Sequence, residues 1–158
     1  MVIKFIIPGK AKEDYLLLGY EEYLKRLSKF AKTSLLTIKE EKLSDKPSEN
    51  EIKNALDKEA DKMLSLLKEE DIVFLLDVHA PLIDSSTLAK KIKEYNSRSG
   101  NFVFVLGSSY GLSSKIRERA NYSFSLSKMT FTHYLALLIT LEQVYRAMKI
   151  NSNQVYDK

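Results

Sequence analysis

The chain has 158 residues, 44% of them hydrophobic, with no cysteine, two histidines and a net charge of +4 at neutral pH. That size suits a single domain, 1–158, with one core. Disulfides and thiolate metal sites are excluded, and since His79 and His133 would need carboxylates beside them to hold zinc, no metal is expected.

No apolar run approaches the ~20 residues of a bilayer span, and the opening VIKFIIPGK is interrupted too soon for a signal peptide. No membrane partner is therefore expected, and the protein is expected to be cytoplasmic. Lysines and arginines are mixed with glutamates, as in EEYLKR at 21–26, so the charge permits a nucleic-acid partner without demanding one.

Residues 2–7 predict a first strand closed by Pro8 and Gly9. A helix follows over 13–30, where Leu16, Tyr20, Tyr23, Leu24, Leu27 and Phe30 recur at three- and four-residue steps on one face. A short strand at 35–38 leads into a charged loop. Ser48 and Glu51 then have the spacing of a capping box, starting a helix to about residue 68 with Ile52, Leu56, Met63 and Leu67 inward. Ile72–Leu76 is apolar at every position, and His79 in the loop beyond it reads as a solvated side chain. Asp84 or Ser85 caps a helix carrying Leu88, Ile92 and Tyr95.

The most informative stretch is 102–133, FVFVLGSSYGLSSKIRERANYSFSLSKMTFTH. Two apolar runs, 102–106 and 122–126, end abruptly in small polar residues. Such runs read as strands buried on both faces, and the chain alternates strand with helix throughout. The expected fold is therefore α/β, a parallel sheet of about five strands with helices on both faces. In open parallel sheets ligands bind beyond the carboxyl ends of the strands, which is where both polar loops fall. Gly107 and Gly111 match neither G-x-x-x-x-G-K-[ST] nor G-x-G-x-x-G. Ser125, Ser127 and Thr130 offer hydroxyls and backbone groups suited to a neutral heterocycle. Ser113 caps a short helix, and Thr132 caps the last one, which runs to about residue 150. Over 134–141 that helix is apolar nearly all round, so it is either a central core helix or packed on a second subunit.

Three blocks together carry a resemblance: Gly107-x-x-x-Gly111-Leu112; Ser125-Leu126-Ser127-Lys128-Met129-Thr130-Phe131-x-His133; and Leu141-Glu142-Gln143-x-Tyr145-Arg146-Ala147. In order and spacing the chain resembles the ribosomal RNA large-subunit (23S) pseudouridine N-3 methyltransferases of the RlmH type, in the SPOUT class. The resemblance implies a C-terminal trefoil knot and S-adenosyl-L-methionine as cofactor, contacted by Leu76, Gly107, Leu126, Ser127, Lys128, Met129, Thr130 and Phe131. It implies a homodimer whose active sites are completed by the partner's C-terminus, with the 23S rRNA of the assembled ribosome as substrate. N-3 of the pseudouridine would attack the cofactor methyl in line, after losing its proton. His133 is the candidate proton acceptor, Arg146 and Lys158 candidate cations beside the base, and Tyr156 a candidate stacking partner.

The chain departs from the family at Ser108, Thr132, Leu137, Asn153 and Asp157, where glycine, proline, arginine, glycine and histidine are usual. The loss of cations at Leu137 and Asp157 is expected to weaken RNA binding. Two other readings stay open: a cofactor-binding relative that acts as a ribosome- or RNA-binding module without methyl transfer, and a methyltransferase for a different RNA.

Overall fold

The computed structural model describes residues 1–156. In chain order the elements are β1 (Val2–Pro8), α1 (Asp14–Leu27), β2 (Lys32–Ile38), α2 (Glu49–Ser65), β3 (Ile72–Leu76), α3 (Ser85–Asn96), β4 (Asn101–Leu106), α4 (Ser114–Arg119), β5 (Tyr122–Phe124) and α5 (His133–Asn151). The strands form one sheet in the order β2-β1-β4-β3-β5, with every pair parallel. Each strand-to-strand connection is a helical crossover, as parallel pairing requires.

The apolar runs are apolar at every position because both sheet faces are covered, and the alternation within them sorts residues by size. Phe5, Phe74, Phe102, Phe104 and Phe124 meet α1, α3 and α5 on one face. Ile6, Val73, Leu75, Val103 and Val105 meet α2 and α4 on the other. Phe74 lies at the centre of the first layer, with the rings of Tyr95, Phe102, Phe104 and Tyr122 between 5.2 and 5.7 Å away.

Several helix starts follow the sequence. Ser48 Oγ accepts from the Glu51 N–H at 3.1 Å, the first bond of a capping box, and donates to the Glu51 carboxylate at 3.2 Å in place of the backbone bond that would close it. Asp84 accepts from the Thr87 N–H at 2.7 Å, and Ser113 from the Lys115 N–H at 3.1 Å. Thr132 is a correction: it occupies the N-cap position, but its side chain makes no capping bond. The inward face of α2 is also shifted. Ala55, Glu59, Ala60 and Met63 are buried, while Ile52, Leu56 and Leu67 are only half-buried. β2 begins at Lys32, earlier than its apolar run, because as an edge strand it pairs through its backbone and leaves half its side chains to water. β5 stops at Phe124, because Ser125 leaves the ladder and donates its N–H to the Pro81 carbonyl at 3.0 Å.

α5 is apolar all round because its own protomer surrounds it: it packs on the aromatic sheet face with α1 and α3 on either side. Leu137, Leu141, Val144 and Ala147 are fully buried. Leu135, Leu138 and Ile139 of the same helix are only half-buried, apolar surface that a second subunit could still cover.

Candidate functional site

β4 and β5 flank β3, so the loops that leave these three strands converge at one edge of the sheet. The loop after β4 turns back on itself through a Gly111 N–H bond to the Ser108 carbonyl at 3.0 Å. A side chain at Gly107 would run into the Gly111 carbonyl oxygen and come within 2.8 Å of Leu112 Cγ, so only glycine closes this turn. Gly111 adopts φ +104°, a conformation that favours glycine. Ser108 does not have positive φ, so serine in place of the family's glycine introduces no backbone strain. Its hydroxyl is bonded instead to Glu59, a buried carboxylate that also accepts the Glu41 N–H at 3.0 Å. Burial raises the Glu59 pKa from its ordinary value, outweighing both bonds.

A cavity of about 310 Å³ opens between these loops, walled by Leu76, Asp77, Gly107, Arg117 and His133. A narrow, mostly apolar recess adjoins it beneath the loop after β5, reaching Leu126, Ser127 and Met129, and the two share Leu76, Asp77, Val78, Phe131 and Ala136. The structure thus gathers Leu76, Gly107, Leu126, Ser127, Met129, Phe131 and His133 around one space. Lys128 and Thr130 are exposed and line neither hollow. The serine hydroxyls brace the loop: Ser125 Oγ donates to the Ser127 carbonyl at 3.2 Å, and Ser127 Oγ accepts the Met129 N–H at 3.0 Å. That leaves backbone groups of this loop, rather than hydroxyls, to meet a ligand.

His133 begins α5 at the edge of the cavity. Its Nε2 is buried and has no hydrogen-bond partner among the described residues. Asp77 and Arg117 are cavity residues that the sequence reading missed. Arg117 Nε donates to Asp77 Oδ2 at 2.7 Å, a pairing between the end of β3 and a helix 40 residues later that leaves no local signal. His79, exposed, meets the same carboxylate only through its backbone N–H, at 3.0 Å.

Arg146 and Tyr156 lie elsewhere. Arg146 donates to Glu142 Oε1 at 3.0 Å, and its guanidinium sits 4.9 Å from the centre of the Tyr156 ring. Tyr156 donates to the same oxygen at 3.3 Å and packs edge-on to Tyr145. Burial first, then the Glu142 charge, push the Tyr156 hydroxyl up to about 12. At 1.5 Å per residue this cluster is ~20 Å along α5 from His133, so one protomer does not bring the expected catalytic groups together. Asp157 and Lys158 lie outside the described residues.

Two departures from the family are recast by the fold. Leu137 is fully buried in the core and is not at a solvent-facing site where a cation has been lost. Asn153 has φ 54°, the left-handed turn that ends α5, and asparagine is the usual substitute for glycine there.

Among the described residues no cluster of histidine and carboxylates could hold a metal ion, and no helix is long and apolar enough to cross a membrane. A probable methylase family protein from Haemophilus influenzae has a similar fold, with a TM-score of 0.51 over 99% of this chain and 70% of its own, at 13% identity. Over the full length of both chains, the sequence is 42% identical to the ribosomal RNA large subunit methyltransferase H of Clostridium novyi. It is as similar to the putative ribosomal RNA large subunit methyltransferase H of Methanococcus vannielii, and 35% identical to the corresponding enzyme of Enterococcus faecalis. The model of the family described as predicted SPOUT methyltransferase matches residues 1–157. The chain therefore belongs to the SPOUT methyltransferases, enzymes whose methyl donor is S-adenosylmethionine.

Proposed function

We propose that the chain, a single domain over 1–158, methylates N-3 of a pseudouridine in large-subunit (23S) ribosomal RNA, acting as a homodimer on the assembled ribosome. The observation that carries this reading is the cavity at the ends of β3, β4 and β5, lined by Leu76, Gly107 and His133. The relatives named as large-subunit rRNA methyltransferases support the substrate, since they match from end to end.

The lining offers the cofactor both kinds of surface, apolar at Leu76, Leu126 and Met129 and charged at Asp77 and Arg117. When bound, S-adenosylmethionine supplies an electrophilic methyl group on a sulfonium. Gly107, by allowing the turn to close, and the 126–131 loop fix the shape of its berth. His133, which lines the cavity, would accept the N-3 proton of the base. Arg146 and Tyr156, too distant in their own protomer, would serve the partner's cavity, Tyr156 by stacking on the base and Arg146 by favouring its ionised form.

The dimer reading also draws support from Val78, Leu82, Tyr110, Met129 and Phe131, large apolar side chains left exposed by one protomer on the loops of this edge. The trefoil knot belongs to the same proposal.

The test is methyl transfer from labelled S-adenosylmethionine to ribosomes from a strain lacking this gene, with the labelled nucleoside identified by mass spectrometry. Label on N-3 of a large-subunit pseudouridine is expected, with little on protein-free RNA. Cofactor binding without any transfer would favour the binding-module reading, and label on another RNA would move the substrate.

A further inference from the structure

The methyl-transfer reading leaves one feature of the cavity unused, the ion pair in its wall. Asp77 is only 7% exposed, and its carboxylate is held by two Arg117 bonds, Nε at 2.7 Å and Nη2 at 3.4 Å, and by the His79 N–H at 3.0 Å. Burial works to raise its pKa, but the Arg117 hydrogen bond and charge, with the His79 N–H, outweigh it, so the group stays an anion. Arg117 Nη1 makes no hydrogen bond to the described residues, although the side chain lines the cavity. The Arg117 guanidinium therefore stands in the wall of the wider space, and Asp77 beside it lines both that space and the adjoining recess of Leu76, Leu126, Met129 and Phe131.

S-Adenosylmethionine has groups to match both, a flat adenosine at one end and an α-amino acid with one ammonium and one carboxylate at the other. We propose that Asp77 and Arg117 are the subsite for the amino-acid end of the cofactor, Arg117 Nη1 donating to the α-carboxylate and Asp77 accepting from the α-ammonium. A guanidinium already locked by one carboxylate is pre-oriented for a second, which limits the entropy lost on binding. The proposal rests on the cofactor reading and adds to it the group that distinguishes the donor from its amino-acid-free fragments.

Calorimetry with three ligands tests it: S-adenosylhomocysteine, its decarboxylated analogue, and 5′-methylthioadenosine, which lacks the whole amino acid. The unaltered protein is expected to bind S-adenosylhomocysteine at least about tenfold more tightly than either of the others, the usual scale for one charge-assisted pair. Arg117→Gln, which keeps a donor for Asp77, is expected to erase the preference over the decarboxylated analogue while leaving 5′-methylthioadenosine within about twofold. Arg117→Lys is expected to restore part of it. If Arg117→Gln weakens all three ligands alike, the pair is only a strut between β3 and α4, and if it changes none the subsite lies elsewhere; either result overturns the proposal. Failure of the unaltered protein to bind any of the three would instead sink the cofactor reading beneath it.

Discussion

The two ends of α5 carry two different chemistries on one rigid rod. At its start, His133 and Ala136 border the cavity, an imidazole nitrogen there lacks a partner, and the surrounding loops leave large apolar side chains exposed. At its end, Glu142, Tyr145, Arg146 and Tyr156 are bonded and stacked on one another with no such vacancy. The first end is a site short of partners, and the second is a satisfied cluster of the groups such a site needs. A helix about 20 Å long between them cannot bend to join them, so under the proposed dimer it is a second copy that brings the second end to the first.

The most forceful way to break that comparison is to damage the rod between its ends. Leu137→Arg, which would restore the family's usual residue, places a guanidinium at a fully buried position facing the sheet. A loss on the order of 3–5 kcal/mol is expected, much of the stability of a domain this size, read from urea unfolding. An unchanged midpoint would mean that this part of α5 is open to water.

Damage confined to the first end should leave folding largely alone. Gly107→Ala drives a methyl into the Gly111 carbonyl, and cofactor affinity is expected to fall about a hundredfold with little change in melting temperature. Arg146→Ala, at the second end, should leave cofactor affinity as it was. Equal losses in the two variants would erase the distinction between the ends.

Mixing the ends sharpens it. His133→Ala and Arg146→Ala are each expected to be inactive, but refolding them together in equal amounts should recover roughly a quarter of the normal rate, because half the dimers are mixed and each has one intact site of two. No recovery would place both residues in one protomer's site.

The smallest effect concerns the brace behind the cavity. The Glu59 pKa is raised by burial, so its contribution to stability is fully present below the unfolded-state value of 4.5 and is lost as pH rises through the higher folded value. Glu59→Gln should flatten the fall in melting temperature from acid toward neutral pH. An unchanged slope would assign that fall to other groups.

Much of this was legible in the sequence because it depends on local pattern. The apolar runs ended at turn residues, which gave parallel strands and put the ligand loops at their carboxyl ends. Ser48, Asp84 and Ser113 announced their helices, because a cap is a bond to a backbone N–H two or three residues away. The same locality explains the failures. Thr132 had the right residue type at the right place, but its side chain found no N–H to accept. β5 read two residues too long because Ser125 and Leu126 continue the pattern while pairing with a different part of the chain.

The sequence by itself determined the alternation of strands and helices, the family, and the loops that wall the cavity, since each is written in residues near one another along the chain. Only the tertiary structure decided that Leu137 is core, that Asn153 is a turn residue, that Asp77 faces Arg117, and that His133 and Arg146 stand apart. These are relations between residues brought together or held apart by packing, and a strand order of β2-β1-β4-β3-β5 places as neighbours groups that no spacing along the chain connects.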